Sequence, residues 1–296
     1  MTITRDVLSY KPTREVFSAI GRYHYLTVPQ LQRLLYQGRL RSYVQGSLNK
    51  LQAAGYVDSK DQTLVSDTGR PLRVWTFTTQ GARTLSQMGF SDLPVMHQRL
   101  NRSAFMLDHD LDVNDAMIVC ELLSTRYSVE LIGFKTDNQL HKTPTSVILP
   151  DGSKTNVIPD GWVCYGFGGT KAAYAIEVDR GTENRFKWQN KVRSFVAFAS
   201  GNPSPYEIAF GEKSLTVLVI VKPAQLRSIK EPQARLEDLK RWTEAELLVL
   251  GKQNWGSLFR FTVQRTDQTD PSIFFGGAHW VAAFDPTPRS LLEGVL

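Results

Sequence analysis

The residues of this 296-residue chain best suited to chemistry lie between Asn156 and Phe195. Pro159-Asp160-Gly161-Trp162 runs into a glycine-rich turn, Gly166-Phe167-Gly168-Gly169-Thr170. The chain returns through Ala175-Ile176-Glu177-Val178-Asp179-Arg180-Gly181-Thr182. Runs suited to strands flank the turn, so a hairpin is expected. If it closes at Gly168 and Gly169, Asp160 lies opposite Glu177. Side chains alternate along a strand, which puts Asp160, Trp162 and Cys164 on one face with Ala175, Glu177 and Asp179. Tyr174, Ile176 and Val178 point the other way. Carboxylates directly across a strand pair stand roughly 5 Å apart at Cβ and repel. A divalent cation or a lysine is needed to offset that repulsion. The next segment, Glu183 to Ala199, reads as a helix with Thr182 as N-cap and Trp188, Val192 and Phe195 as its inner stripe. Lys187 and Lys191 are one turn apart on an adjacent face, so one of them can reach back to the carboxylates.

Hard oxygen ligands suit magnesium, which takes one or two carboxylates, water and substrate phosphate. Such an ion polarises a phosphodiester and activates water, and a lysine can orient that water. With Pro159-Asp160 on one strand and Glu177-Val178-Asp179 on the next, the pattern resembles the PD-(D/E)xK restriction-endonuclease-like superfamily. The resemblance implies a mixed sheet flanked by helices and Mg²⁺-dependent phosphodiester cleavage, with Mn²⁺ able to substitute. One departure stands out: the lysine of the pattern falls at Asp179. Three readings follow. Lys191 or Lys187 takes the lysine's role, Asp179 is a third metal ligand beside Asp160 and Glu177, or the site has lost activity. Other signals carry less. Gly166-Phe167-Gly168-Gly169-Thr170-Lys171 has the wrong spacing for a phosphate loop and precedes a strand. The five histidines show no metal-ligand spacing. Arg180 and Arg185 suit phosphate contact or pairing with Glu183.

The elements that must position these residues are an alternation of helices and strands. A helix from Ser103 to Arg126 buries Leu107, Leu111, Ile118 and Leu122. Asn114 and Asp115 interrupt its stripe and need partners. Those partners are either a neighbouring loop or the Asp160/Glu177 site, which makes Asp115 a catalytic candidate. His109, one turn earlier, suits capping or packing. Strand-like runs follow at Val129–Phe134 and Ser146–Leu149. Leu215–Val221 is a near-continuous apolar run, as a strand covered on both faces requires. An amphipathic helix, Gln233–Leu250, and a strand at Phe259–Val263 come next. The tail from Asp267 is poorly patterned, with Phe274, Phe275 and Trp280 packing it down.

Residues 1–95 hold 12 Lys/Arg against 6 Asp/Glu, and the remainder holds 23 of each. The whole net charge of +6 thus lies in the first third, which suggests a nucleic-acid contact there. A helix is expected over 12–26, a second short one capped by Thr27 with Pro29 in its first turn, and a third over Arg41–Ala54 ended by Gly55. Strands from Tyr56-Val57 and over Leu72–Phe77 enclose a polar turn. Three helices and a two-stranded wing describe a winged helix-turn-helix. Its third helix offers Arg41, Ser42, Gln45 and Asn49 to a major groove, and its wing offers Lys60, Arg70 and Arg73 to the backbone. The same architecture also serves as a protein-docking module. Residues 90–100 read as a linker, so a DNA-binding domain at 1–95 and a nuclease-like α/β (mixed) domain at 96–296 are expected.

One resemblance spans more of the chain. The helix bearing His109-Asp110-Leu111-Asp112-Val113-Asn114-Asp115, then Pro159-Asp160-Gly161, Glu177-Val178-Asp179-Arg180-Gly181-Thr182-Glu183 and Lys191, resemble the replication-relaxation family of bacterial and plasmid proteins over roughly residues 15–200. That implies work on double-stranded plasmid or mobile-element DNA during replication and DNA relaxation, alongside replication or mobilisation proteins. Two functional classes remain: a metal-dependent nickase or endonuclease, and a non-catalytic initiator or accessory factor. A winged-helix transcription regulator is a third. No run approaches the roughly 18 apolar residues of a membrane span. Cys120 and Cys164, the only cysteines, form no disulfide or zinc pattern, and a cytoplasmic location is expected.

Overall fold

A computed structural model describes residues 7–65, 71–90, 103–222, 231–264 and 269–292. It folds as two compact units, Met1–Ile118 and Val119–Leu296.

In the first unit, α1 (Lys11–Tyr23), α2 (Val28–Leu35) and α3 (Arg41–Ala53) precede β2 (Val57–Val65), β3 (Pro71–Phe77) and α4 (Thr79–Gln87). The first helix stops three residues short of the expected end. His24 takes φ +65° there, and Leu26-Thr27 becomes strand β1, paired antiparallel with Trp75 and Val74 of β3. The sheet therefore has three strands in the order β1-β3-β2. Thr27 caps α2 as expected. Its hydroxyl accepts from the Gln30 N–H at 3.3 Å while the Gln30 side chain accepts from the Thr27 N–H at 3.0 Å. Val44, Leu48 and Leu51 of α3 are fully buried, and Gly55 at φ +76° lets the chain leave the helix. The turn residues 66–70 and the stretch 91–100 of the expected linker lie outside the described residues.

Helix α5 (Ala104–Arg126) contains the point, between Ile118 and Val119, at which one unit gives way to the next along the chain. Its polar interruption is why its first half belongs to the first unit. The Asn114 amide donates to the carbonyls of Tyr23 at 3.1 Å and Tyr25 at 2.7 Å.

The second unit is built on a seven-stranded mixed sheet in the order β12-β11-β10-β9-β8-β7-β4. These strands are β4 (Glu130–Thr136), β7 (Gly161–Phe167), β8 (Thr170–Asp179), β9 (Thr216–Val221), β10 (Phe259–Val263), β11 (Trp280–Ala282) and β12 (Asp285–Arg289). The centre, β8-β9-β10, is parallel, and Val217 to Val221 are fully buried. The tail after Asp267 is more regular than its sequence suggests. Pro271–Gly276 is a short helix capped by Asp270, and β11 and β12 extend the sheet edge, with Phe274, Phe275 and Trp280 fully buried.

One sheet face is covered by α7 (Arg185–Ala199) and α9 (Pro232–Val249), with α8 (Pro205–Phe210) beside them. Trp188, Val192 and Phe195 are buried in this layer with Trp162, Ala175 and Val219. Each fully buried side chain of that size contributes roughly 1.5–3 kcal/mol, so α7 is anchored by its apolar stripe and its lysines are left for other work. A short helix, α6 (Asp137–Lys142), and an antiparallel pair, β5 (Thr145–Ile148) with β6 (Lys154–Val157), complete the unit. No described helix is long and apolar enough to cross a membrane.

Candidate active site

The hairpin closes on Gly168 and Gly169, both at positive φ (+55° and +79°), a conformation glycine adopts without strain. Phe167 faces Thr170, and the register continues through Trp162 opposite Ala175 to Gly161 opposite Ile176. That is the expected register. Asp160 stands one position beyond the ladder: its N–H donates to the Ile176 carbonyl at 3.0 Å, and its Oδ2 accepts from the Val178 N–H at 2.7 Å. The Asp160 carboxylate is thereby fixed at the edge of β8 beside Glu177.

Glu177 is 3% exposed, facing the layer of α7 and α9. Lys191 meets it, with Nζ donating to Glu177 Oε2 at 2.7 Å and lying 2.8 Å from Glu183 Oε1. Burial drives the Glu177 carboxyl up to about 8; Lys191 opposes the shift, and the Asp160 and Glu183 charges reinforce it. Against its own desolvation, the Lys191 ammonium is held well above the ordinary lysine range by Glu177, Asp160 and Glu183. Lys191 is therefore a cation throughout the neutral range. Helix α7 begins at Arg185, and Asn184, not Thr182, caps it by accepting the Lys187 N–H at 3.0 Å. Two links tie α7 to α9, the first of them buried. Trp188 Nε1 donates to Thr243 at 2.9 Å, and Arg193 forks onto Glu246 at 2.6 and 3.2 Å. Lys187 is exposed on the first turn with Arg185 and Phe186.

Asp179 shares the face but has a different partner. Arg235 of α9 holds both its oxygens, Nη2 to Oδ1 at 2.7 Å and Nε to Oδ2 at 2.8 Å, and also donates to the Glu183 carbonyl. Arg235 and Glu183 are the site residues that sequence reasoning missed. The buried acid implied that some cation must meet it, but nothing in the sequence links positions 179 and 235. Asp115 is engaged within the first unit, where Gln30 Nε2 donates to it at 3.0 Å and Arg33 forms an ion pair with it. Its interruption of the helix stripe is thus matched by packing partners.

Among the described residues no three His, Cys, Asp or Glu side chains are grouped to hold a metal ion. With Asp179 inside the arginine fork, Asp160 and Glu177 are the carboxylates that could hold one. Two hard oxygen donors suit magnesium, whose remaining positions go to water and phosphate.

A family model described as Replication-relaxation matches residues 17–208. The chain belongs to the Replication-relaxation family. No curated protein matches it. Solved structures similar to it include restriction endonuclease FokI with a TM-score of 0.31 and FokI bound to DNA with 0.29. Each is 10% identical and is matched over 94% of this chain, which spans 47% of the FokI chain. Within this Replication-relaxation chain the matched segment contains the whole of α3, the hairpin and α7.

The candidate DNA contacts of the first unit are borne by α3 and by strands β2 and β3. Arg41, Ser42 and Asn49 are exposed, and Gln45 is half-buried with its amide donating to Asn49 at 2.8 Å. Lys60 is exposed on β2, and Arg73, on the neighbouring strand β3, pairs with Asp61 at 3.0 Å. Arg70 lies outside the described residues.

Proposed function

We propose that this Replication-relaxation protein binds double-stranded plasmid or mobile-element DNA through a winged helix in its first unit and nicks it through Asp160, Glu177 and Lys191. The observation that carries the reading is the 2.7 Å contact of Lys191 with Glu177, beside a fixed Asp160. It supplies from α7 the lysine missing at position 179. The geometry supports a site of the PD-(D/E)xK type with a relocated lysine. A bound Mg²⁺, held by Asp160 and Glu177, would supply positive charge at the phosphate and lower the pKa of a water nucleophile.

The chain's own residues do the rest. The Val178 N–H orients the Asp160 carboxylate towards Glu177. Lys191, kept protonated, orients the attacking water and stabilises charge developing on the phosphate oxygens; it cannot serve as the base. Arg235 keeps Asp179 out of the reaction while bracing the end of β8. The competing reading, a non-catalytic replication factor, draws support from that same sequestration, because only two carboxylates remain for a metal.

Incubation of supercoiled plasmid with the full chain and Mg²⁺ or Mn²⁺ tests the proposal. Open-circle product is expected, with Asp160→Asn and Glu177→Gln each losing at least about a hundredfold in rate. Undiminished nicking by Asp160→Asn would sink the assignment.

A further inference from the structure

Beside the Asp160 end of the hairpin, the second unit has an open groove of about 470 Å³ lined by Lys135, Thr143, Thr145, Ser146 and Phe210, among others. Neither the hairpin pattern nor the family resemblance draws attention to it. Lys135 Nζ lies 4.2 Å from the centre of the Phe210 ring and 5.8 Å from that of Trp162. Among the described residues no carboxylate pairs with it. Ring faces attract the ammonium without neutralising its charge, so they hold a full positive charge at the groove. Asp137, the acidic residue next along the chain, is engaged by His141 at 3.1 Å. The Thr145 hydroxyl is a further donor at the groove, whereas that of Ser146 is used on Asn156 at 2.7 Å.

Register places the groove relative to the chemistry. Lys135 pairs with Trp162 across β4 and β7, so both side chains are on one face, and Asp160 lies two residues before Trp162, just outside β7. Two residues of strand cover roughly 7 Å, and a lysine side chain adds reach in either direction. An unpaired cation in an open cleft at that distance from the carboxylates matches the charge of a neighbouring phosphate on the same strand.

We propose that this groove holds the phosphodiester backbone of the strand to be cut, with Lys135 and Thr145 gripping a phosphate next to the one presented to Asp160 and Glu177. The inference rests on the nicking role assigned to those carboxylates, but its test does not depend on cleavage. Fluorescence anisotropy of a labelled oligonucleotide, with EDTA present and across a salt series, reads binding by the full chain. Lys135→Gln is expected to weaken binding about tenfold at low salt and to reduce the slope of log affinity against log salt by about one contact. Lys135→Arg should retain both, and Thr145→Glu should weaken binding at least as much as Lys135→Gln. Circular dichroism establishes that each variant is folded. Unchanged affinity and slope in folded Lys135→Gln and Thr145→Glu would overturn the proposal. So would competition by millimolar inorganic phosphate or dAMP that abolishes the Lys135-dependent part of binding, since the groove would then be a pocket for a free phosphate compound. Active Asp160→Asn, by contrast, would refute the nicking assignment and leave the binding result standing.

Discussion

Glu177 and Asp179 lie two residues apart on β8, on the same face and almost equally buried, yet they are compensated in opposite ways. Asp179 sits in the planar fork of Arg235, whose side chain is 11% exposed and whose geometry satisfies both carboxylate oxygens. Glu177 meets a single ammonium, Lys191, which is 31% exposed and shared with Glu183. Arginine makes a rigid, permanently charged bidentate clamp, and lysine makes a mobile point contact that another ligand can replace. One acid is closed off as structure. The other remains open to exchange its partner.

Loss of Arg235 should produce the largest effect on stability. Arg235→Met leaves Asp179 buried with no clamp, and removing one member of a buried ion pair costs roughly 3–5 kcal/mol. Urea unfolding monitored by tryptophan fluorescence is the measurement, and a loss below about 1 kcal/mol would show that Asp179 is not held by this fork. The matching change at the other acid should behave differently. In Lys191→Met, Glu177 can take up a proton because burial has already raised its pKa to about 8. The stability loss should stay within about 2 kcal/mol, while plasmid nicking falls by about a hundredfold or more. If the two variants lose equal stability, the distinction between clamp and exchangeable contact fails.

The contrast also has a pH signature. An unfolded Glu177 releases its proton near the ordinary glutamate pKa, whereas the folded one keeps it up to about 8. Between those values the native state binds more protons than the unfolded chain, so stability contributed by this group declines as pH rises. It is fully present below the ordinary glutamate range and lost on passing through about 8. Lys191, with its pKa raised above the normal lysine range, does not change state in this interval. Glu177→Gln should therefore flatten the fall in stability between pH 6 and pH 9, as measured by urea midpoints at matched ionic strength. An unchanged slope would assign the pH dependence to another group.

Much of this comparison is legible in the sequence because it is local. Two adjacent glycines set the hairpin and alternation sets the face, and together they put Asp160 beside Glu177. The apolar stripe of Trp188, Val192 and Phe195 likewise identifies the helix that delivers Lys191. What stays hidden is long-range. Nothing near Asp179 announces Arg235, and the role of Asn114 in tying α5 to the Tyr23–Tyr25 turn depends on two backbone carbonyls that have no sequence signature. The tail escapes for another reason. Its strands are three and five residues long, too short for alternation to register, and they are recruited by the exposed edge of β10.

The smallest expected effect tests how firmly Lys191 is aimed. Asn184 accepts the Lys187 N–H and so ends the strand-to-helix connection about two turns before Lys191. Asn184→Ala should cost about 1 kcal/mol through the lost cap. Because Trp188 and Arg193 still fasten α7 to α9, the helix should remain docked and only its first turn should fray. Lys191 lies just inside those fastenings, so nicking should drop no more than a few-fold. The Arg235 clamp, borne by a different helix, should be untouched. Hydrogen exchange resolves the two outcomes: faster exchange confined to residues 185–188 fits a locally frayed turn, whereas faster exchange reaching 191–195 would mean that the cap, and not the links to α9, sets the position of the lysine.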